Sequence, residues 1–434
     1  MKMRIFVLFL SLALLLCSLP VTVGAKTLDK VTLNVYNWGQ YIADGEDDLP
    51  DTNELFEEYF NEFLAEKYGY TIEVNYSTYP SNEDMYNKIA SGSASFDVIV
   101  PSDYMIERMI AENRLLPLDF SKIPNISNIE ERFLNGEYNT YDPEAKYSVP
   151  YTYSMVGIIY NEKYVDEEDI GSWDLLWNEK YKGKILQFNN SRDAFGTALY
   201  YLGYSVNTTD QSKWNEALEL LKQQKPLVSA YVMDEIFDKM QNESAYIAPY
   251  YSGDYLTMYD INDSLAFYYP EEGTNFFVDA MCIPECAKNI DAAHEYINFM
   301  LSKEAAIANA QYIGYGCPNT TVTSDEEYIA YMNDWHENAM EYLYGYTPVL
   351  SDYTDLKDIE ASDGEIKASF YRAIADTKEN GNLLSFTNDL WSDFKSFNSI
   401  EPWIVVTDIV IVSALLGAVL FFFIRRKNRE KYYD

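Results

Sequence analysis

Between residues 31 and 113 strand patterns alternate with helix patterns, and this order constrains the fold more than any other feature of the chain. Val31, Leu33 and Val35 alternate with Thr32 and Asn34, the period-two signature of a strand, and regular pairing should stop at Asn37-Trp38-Gly39. A helix is expected over 54–68, with a cap from 51–53, one face of Leu55, Phe56, Tyr59, Phe60, Phe63 and Leu64, and a stop at Gly69. Ile72, Val74 and Tyr76 alternate in a second strand, 84–90 reads as a helix, and 96–100 is a short apolar third strand ended by Pro101. Ser102-Asp103-Tyr104 opens a further helix through Asn113. A β-α-β-α-β succession is a doubly wound α/β lobe, in which ligands sit outside the carboxyl ends of the strands. Trp38 and Tyr41, left at the end of the first strand, are candidate walls of a site. The competing reading packs both rings beneath the next helix.

The bulk numbers set the frame for that lobe. A chain of 434 residues, 48% of them hydrophobic, is long enough for two domains or lobes and is not of disordered composition. Its 69 acidic residues against 32 basic ones give a net charge of −37, which excludes nucleic acid as a partner because phosphate contacts need basic surface. An acidic surface raises the local concentration of a cationic ligand, although most of these carboxylates serve only solubility. Forty tyrosines supply flat apolar faces with hydroxyls, suited to a core or to a ligand site. The two histidines, His294 and His336, lie far apart, so neither zinc-ligand spacing nor a histidine base is supported, and no cofactor is expected.

The two ends indicate an address outside the cytoplasm. Lys2 and Arg4 precede an apolar run over 5–16, and Val23-Gly24-Ala25 offers small residues for cleavage, so 1–25 reads as a signal peptide. Cys17 raises the possibility of a lipid anchor, but Leu16 before it is bulky for such a site. Residues 403–424 are long and apolar enough for one transmembrane helix, and Arg425-Arg426-Lys427, Arg429 and Lys431 make 425–434 a cytoplasmic basic tail. The expected localisation is a cell membrane, single-pass, with the remaining chain outside. After the signal three cysteines remain, Cys282, Cys286 and Cys317; an odd number leaves one unpaired, and whether Cys282 joins Cys286 across Pro284 stays open.

Several stretches, taken in order, resemble one family. They are Tyr36-Asn37-Trp38-x-x-Tyr41-Ile42, Ser77-Thr78-Tyr79-x-Ser81-Asn82-Glu83-x-Met85-Tyr86, Val100-Pro101-Ser102-x-Tyr104, Val149-Pro150-Tyr151-Thr152-Tyr153 and Ile313-Gly314-Tyr315-Gly316-x-Pro318-Asn319. The set is similar to the periplasmic spermidine/putrescine-binding proteins, the solute receptors of polyamine ABC transporters. No single motif decides this, and the match fades after residue 325. The resemblance implies an α/β, two-lobed periplasmic-binding-protein (type II) fold with a hinge. It implies lobe 1 over 31–151 and 277–323, and lobe 2 over 152–276 and 324–400 with a linker. It also implies a polyamine ligand, ABC permease subunits as membrane partners, and no enzymatic step. Receptors of this family are usually free or lipid-anchored, so a transmembrane tether departs from the pattern.

The resemblance carries site residues over position by position. Ser102 and Tyr104 match a Ser and a Tyr that line the family's site; Tyr251 stands where the family has Trp; Phe277 and Asp279 match an aromatic and an acid; Tyr315 matches a Tyr that contacts ligand. Where the family has two carboxylates three residues apart, this chain has Asn190 and Asp193, so one ligand amine should be held more weakly. With Trp38 and Tyr41 these make ten candidate ligand-binding residues; no counterpart of the family's late Gln contact is found.

The residues themselves leave alternatives open. Ser102 either caps a helix or meets a ligand, and Asn190 and Asp193 fit helix capping too. Asp279 interrupts an apolar strand with no Lys or Arg nearby in sequence, and a buried acid is costly unless paired; a bound ammonium would pair it. Aromatic faces cover methylenes and attract cations, each contact contributing on the order of 0.5–2 kcal/mol. The alternatives are a receptor of the same fold for another solute, a surface glycosidase built on paired carboxylates and aromatic platforms, and an adhesion or sensor module suggested by the tether.

Overall fold

The computed structural model describes residues 28–46, 48–374 and 382–397. The signal peptide (1–25), the membrane span (403–424) and the basic tail (425–434) lie outside the described residues. Among those described, no helix is long and apolar enough to cross a membrane.

The alternating segment at 31–35 becomes β1 (Asp29–Trp38), and the helix after it, α1 (Thr52–Tyr59), is capped by Asp51, whose side chain accepts from the Asn53 and Glu54 N–H groups. The helix runs through a π-helical stretch, Phe60–Leu64, into Ala65–Tyr68. Gly69 ends it at φ 83°, a left-handed conformation that only glycine adopts without strain. β2 (Tyr70–Tyr79) then pairs in parallel along the whole of β1. α2 (Asn82–Ala90) is capped by Ser81 and leads to β3 (Val98–Ile99) and α3 (Asp103–Ala111). β3 is shorter than the expected 96–100 because Asp97 has another task. Its buried carboxylate accepts from the backbone N–H groups of Asn34, Lys288 and Asn289, tying a distant loop to the sheet instead of extending the strand.

The next strand explains how two lobes arise from one chain. β4 (Ser148–Asn161) is buried along its length, as a strand covered on both faces must be. Three further strands follow, β5 (Ile185–Phe188), β6 (Val228–Val232) and β7 (Ile247–Tyr251), then β8 (Leu265–Tyr268) and β9 (Thr274–Cys282). The first half of β4 pairs antiparallel with β9, and its second half with β7 and β8. The strand order β2-β1-β3-β9-β4-β7-β5-β6 therefore passes from one sheet into another through β4. A core around Leu33, Phe56, Ile99, Val278 and Ile297 lies on one side, and a core around Ile158, Trp173, Leu186, Phe195 and Ile247 on the other.

Four helices complete what the site needs: α4 (Ser191–Tyr201), α5 (Gln211–Gln224), α6 (Ser252–Ile261) and, at the end of the described chain, α7 (Leu383–Ser396). α7 docks on α5, where Lys222 Nζ meets Asp393 at 2.9 Å and Trp391 lies 6.4 Å from Phe195 of α4. β10 (Thr347–Leu350) and β11 (Glu365–Ser369) pair with each other, and β11 also pairs with β9 at Thr274 and Asn275. Ile366, Ala368 and Phe370 thereby enter the first core. Cys282, Cys286 and Cys317 are all free thiols, so the open pairing of Cys282 with Cys286 is not made.

Candidate functional site

A cavity of about 310 Å³ opens where the ends of β1, β2 and β7 and the N-terminal turns of α2, α3, α4 and α6 converge on β9. All ten side chains singled out from the sequence line it. Seven acidic residues face it (Glu46, Glu83, Asp103, Asp193, Asp234, Asp254 and Asp279) against one basic residue, Arg192. Low-dielectric walls focus such a charge imbalance into a field that favours a cation.

Asp279 sits on β9 opposite Ser102 and is 4% exposed. Its Oδ2 accepts from the Tyr41 hydroxyl at 2.5 Å, and that hydroxyl also lies 2.7 Å from Thr152 Oγ1. Its Oδ1 is buried with no hydrogen-bond partner, and among the described residues it forms no ion pair. Burial pushes its pKa up to about 6, against the opposing pull of the Ser102 and Tyr41 hydroxyls beside it. Asp103 shows what a satisfied acid looks like in the same wall. Its two oxygens accept from the Tyr104 and Val278 N–H groups, and burial raises its pKa well above the usual range, so it serves the backbone.

The rings form a cage beside this carboxylate. Tyr41 meets Tyr315 edge-on at 5.7 Å; Tyr251 lies 5.2 Å from Phe277 and 6.2 Å from Tyr315; Phe277 and Tyr315 are 6.0 Å apart. Trp38 is half-buried, donates Nε1 to the Val100 carbonyl at 2.9 Å and rests on Tyr79 at 4.7 Å. Ser102 holds the N-cap position of α3 without capping it, and its hydroxyl instead accepts from Asn82 Nδ2 at 3.0 Å. Tyr104 donates to Glu83 at 3.0 Å.

At the α4 end Asn190 caps the helix, its Oδ1 accepting from the Asp193 N–H at 2.8 Å. Its Nδ2 donates to Asp193 Oδ2 at 2.6 Å, and Tyr251 donates to the same oxygen at 3.0 Å. Burial raises the Asp193 pKa, and these donors oppose the rise.

Of the wall residues that the sequence reading did not single out, two stand at the centre of the polar network. Asp254, on the first turn of α6, accepts from the Tyr315 hydroxyl at 2.6 Å, and burial lifts its pKa to about 7 with help from the nearby Asp234 charge. The signal was present in Tyr251-Ser252-Gly253-Asp254, an acid one helical turn past the carboxyl end of a strand. Tyr371 also lines the cavity, from the part of the chain where family resemblance had faded. Among the described residues no group of His, Cys, Asp and Glu could hold a metal ion. His294 is structural, its Nε2 accepting from the Asp119 N–H at 2.9 Å. The arrangement suits a small organic cation with apolar segments: acids held in place by tyrosine hydroxyls, with ring faces between them.

Residues 58–337 match the family of bacterial extracellular solute-binding proteins. The spermidine/putrescine-binding periplasmic protein of Escherichia coli (strain K12) is 34% identical over 297 residues, covering 68% of this chain and 80% of that protein. A putrescine/cadaverine-binding protein of Pseudomonas aeruginosa is 30% identical over 318 residues, covering 70% of this chain and 84% of that protein. The crystal structure of the spermidine/putrescine ABC transporter substrate-binding protein PotD from Streptococcus pneumoniae superposes with a TM-score of 0.61 at 33% identity, covering 84% of this chain and 98% of that one.

Proposed function

Because this chain belongs to the bacterial extracellular solute-binding proteins, and resembles in particular those that take polyamines, we propose that its cleft captures spermidine or putrescine and hands it to the permease of an ABC transporter. The observation that carries this reading is the Asp279 Oδ1, buried in a ring-lined cavity with no partner of its own. An unpaired buried carboxylate is costly, and an ammonium placed against it removes that cost while the rings cover the adjoining methylenes. The proposed contact set is Trp38, Tyr41, Ser102, Tyr104, Asn190, Asp193, Tyr251, Phe277, Asp279 and Tyr315, joined by Asp254. Asn190 contributes its position and not a charge, so the α4 end grips an amine less strongly than Asp254 and Asp279 do.

In this reading the lobe built on the core of Leu33, Phe56 and Val278 moves against the lobe built on the core of Ile158, Trp173 and Phe195 about β4 and β9, and the ligand closes the gap by touching both sides. The apolar run 403–424 anchors the receptor to the membrane in which the permease lies, after removal of 1–25 as a signal. No chemical step is required of the site. Calorimetric titration of the ectodomain with putrescine, spermidine and a neutral oligosaccharide tests the proposal. Saturable binding of an amine without turnover is expected; binding or cleavage of the sugar, with neither amine bound, would overturn it.

A further inference from the structure

The stretch after β11 crosses from one lobe to the other. The Phe370 N–H donates to Asp352 at 3.2 Å, and its carbonyl accepts from Asn207 Nδ2 at 2.8 Å. Arg372 donates to Thr140 Oγ1 at 2.7 Å and pairs with Glu107 of α3, which also accepts from the Ala373 N–H at 2.7 Å. From the opposite side Arg192 of α4 donates Nη2 to the Arg372 carbonyl at 2.9 Å, and its guanidinium lies over the Tyr371 ring at 4.6 Å. Tyr371 is thus buried between α3 and α4, at the cavity wall.

Its hydroxyl reaches into α4 at one particular place. A Cβ added at Gly196 would stand 2.3 Å from Tyr371 Oη and 3.4 Å from its Cζ. Glycine is a poor residue for a helix interior, and Gly196 lies in the middle of α4, so its presence there needs a reason. The approach of the hydroxyl supplies one. Gly196 lies one helical turn after Asp193 on α4, so the hydroxyl admitted there stands beside that carboxylate. Asp193 is held by Asn190 and Tyr251, and the Tyr371 hydroxyl is a further polar group close to it.

We propose that Tyr371 is a positioning residue of the amine site, its hydroxyl, admitted through the gap left by Gly196, keeping the Asp193 carboxylate aimed into the cavity. This rests on the polyamine reading only for the ligand that Asp193 meets. A hydroxyl donor favours the charged form of a carboxylate, so removing it raises the pKa of that acid and weakens its hold on a cation.

Tyr371→Phe keeps the ring and deletes the donor. In the ligand-free protein, carbon-13 NMR titration of the aspartate carboxyls should show the Asp193 midpoint moving up, and an unmoved midpoint would overturn the proposal whatever the cleft binds. In titrations with putrescine and spermidine, affinity should fall about tenfold at pH 7, with the acid limb of binding displaced to higher pH. An unaltered affinity and pH profile would overturn it. If the wild-type protein bound neither amine, the polyamine reading would fall and the Asp193 midpoint would still decide the role of Tyr371. As a packing control, Gly196→Ala should lower the Tm of the wild type and leave that of Tyr371→Phe nearly unchanged. An equal loss in both backgrounds would mean that the glycine is not there for the hydroxyl, contrary to the proposal.

Discussion

The Tyr41 hydroxyl donates to Asp279 Oδ2 at 2.5 Å across 238 residues of sequence, and leaves the other oxygen of that carboxylate buried and unpartnered. One half of the acid is fixed by the protein and the other half is kept for something else. Asp279→Asn should therefore act in opposite directions on binding and on stability. Truncating one partner of a buried charge pair costs about 3 kcal/mol, so polyamine affinity should drop by roughly a hundredfold. The ligand-free variant should melt higher than wild type at pH 8, because an uncompensated buried charge has gone. Calorimetry and thermal melts check the two limbs, and an affinity within twofold of wild type would remove Asp279 from the site.

Asp279 and Asp254 also set a pH dependence. Burial raises their pKa values from 3.8 to about 6 and about 7 in the ligand-free protein. Raised acid pKa values mean that the folded state binds more protons than the unfolded state between about pH 4 and pH 7. Their contribution to stability is therefore fully present below pH 3.8 and is lost as pH rises through 6 and 7. An ammonium ligand binds the ionised forms and works against the same gradient. Affinity should accordingly fall as pH drops from 8 to 5, with proton release on binding small at pH 8, setting in near pH 7 and growing as pH drops through 6. The ligand-induced rise in Tm should be larger at pH 8 than at pH 5. Calorimetry in buffers of different ionisation enthalpy measures the released protons, and a flat profile across this window would contradict the assignment of both acids.

Part of this site was legible in sequence patterns, because its chemistry falls at element ends, and the family resemblance carried the other candidate residues. Trp38 follows an alternating strand, Ser102 and Tyr104 follow an apolar one, and Asp279 breaks an apolar run. Asp254 was harder to read. An acid on the first turn of a helix is commonplace, being favoured by the helix dipole alone, and only the Tyr315 hydroxyl from 61 residues away distinguishes it. Tyr371 gave no sequence signal, since β11 reaches β9 by a parallel pairing that no local pattern encodes. Asp97 misled in the other direction: it sits inside a strand pattern, yet it binds three backbone N–H groups and shortens the strand. Ser102 shows how a propensity can be overridden, because Asn82 takes the hydroxyl that would otherwise cap α3.

Asn190→Asp tests the weak end of the cleft. Aspartate caps a helix as well as asparagine does, so α4 should keep its N-terminus. The substitution replaces the 2.6 Å amide donor to Asp193 with a second carboxylate. In the empty site the pair should share a proton near neutrality, since like charges so close disfavour joint ionisation. A bound ammonium relieves that repulsion. Spermidine affinity should rise by roughly fivefold at pH 8, about 1 kcal/mol as expected for an added charge-assisted hydrogen bond, and the gain should shrink at pH 6. Competition against labelled putrescine at the two pH values measures it, and a loss of affinity at pH 8 would place the ligand's amines away from α4.

Gly253 offers a test of the aromatic cage through backbone packing. An added Cβ there would stand 2.1 Å from Tyr315 Cδ1 and 2.6 Å from the Gly314 carbonyl. Two effects oppose each other in Gly253→Ala. Helix propensity favours alanine in α6 by about 1 kcal/mol, whereas overpacking a close contact costs about 1–3 kcal/mol. With a backbone oxygen on one side, Tyr315 is what must move, and it is the ring that touches Tyr41, Tyr251 and Phe277 and whose hydroxyl holds Asp254. The variant should therefore lose about 1 kcal/mol of stability or more, and polyamine affinity should fall about tenfold as the cage and the Asp254 contact are disturbed together. Tyr315→Leu removes the ring and hydroxyl without a clash, so it should reproduce the loss of affinity. If Gly253→Ala weakened binding and Tyr315→Leu did not, the defect would lie in the movement of the lobes and not in the cage.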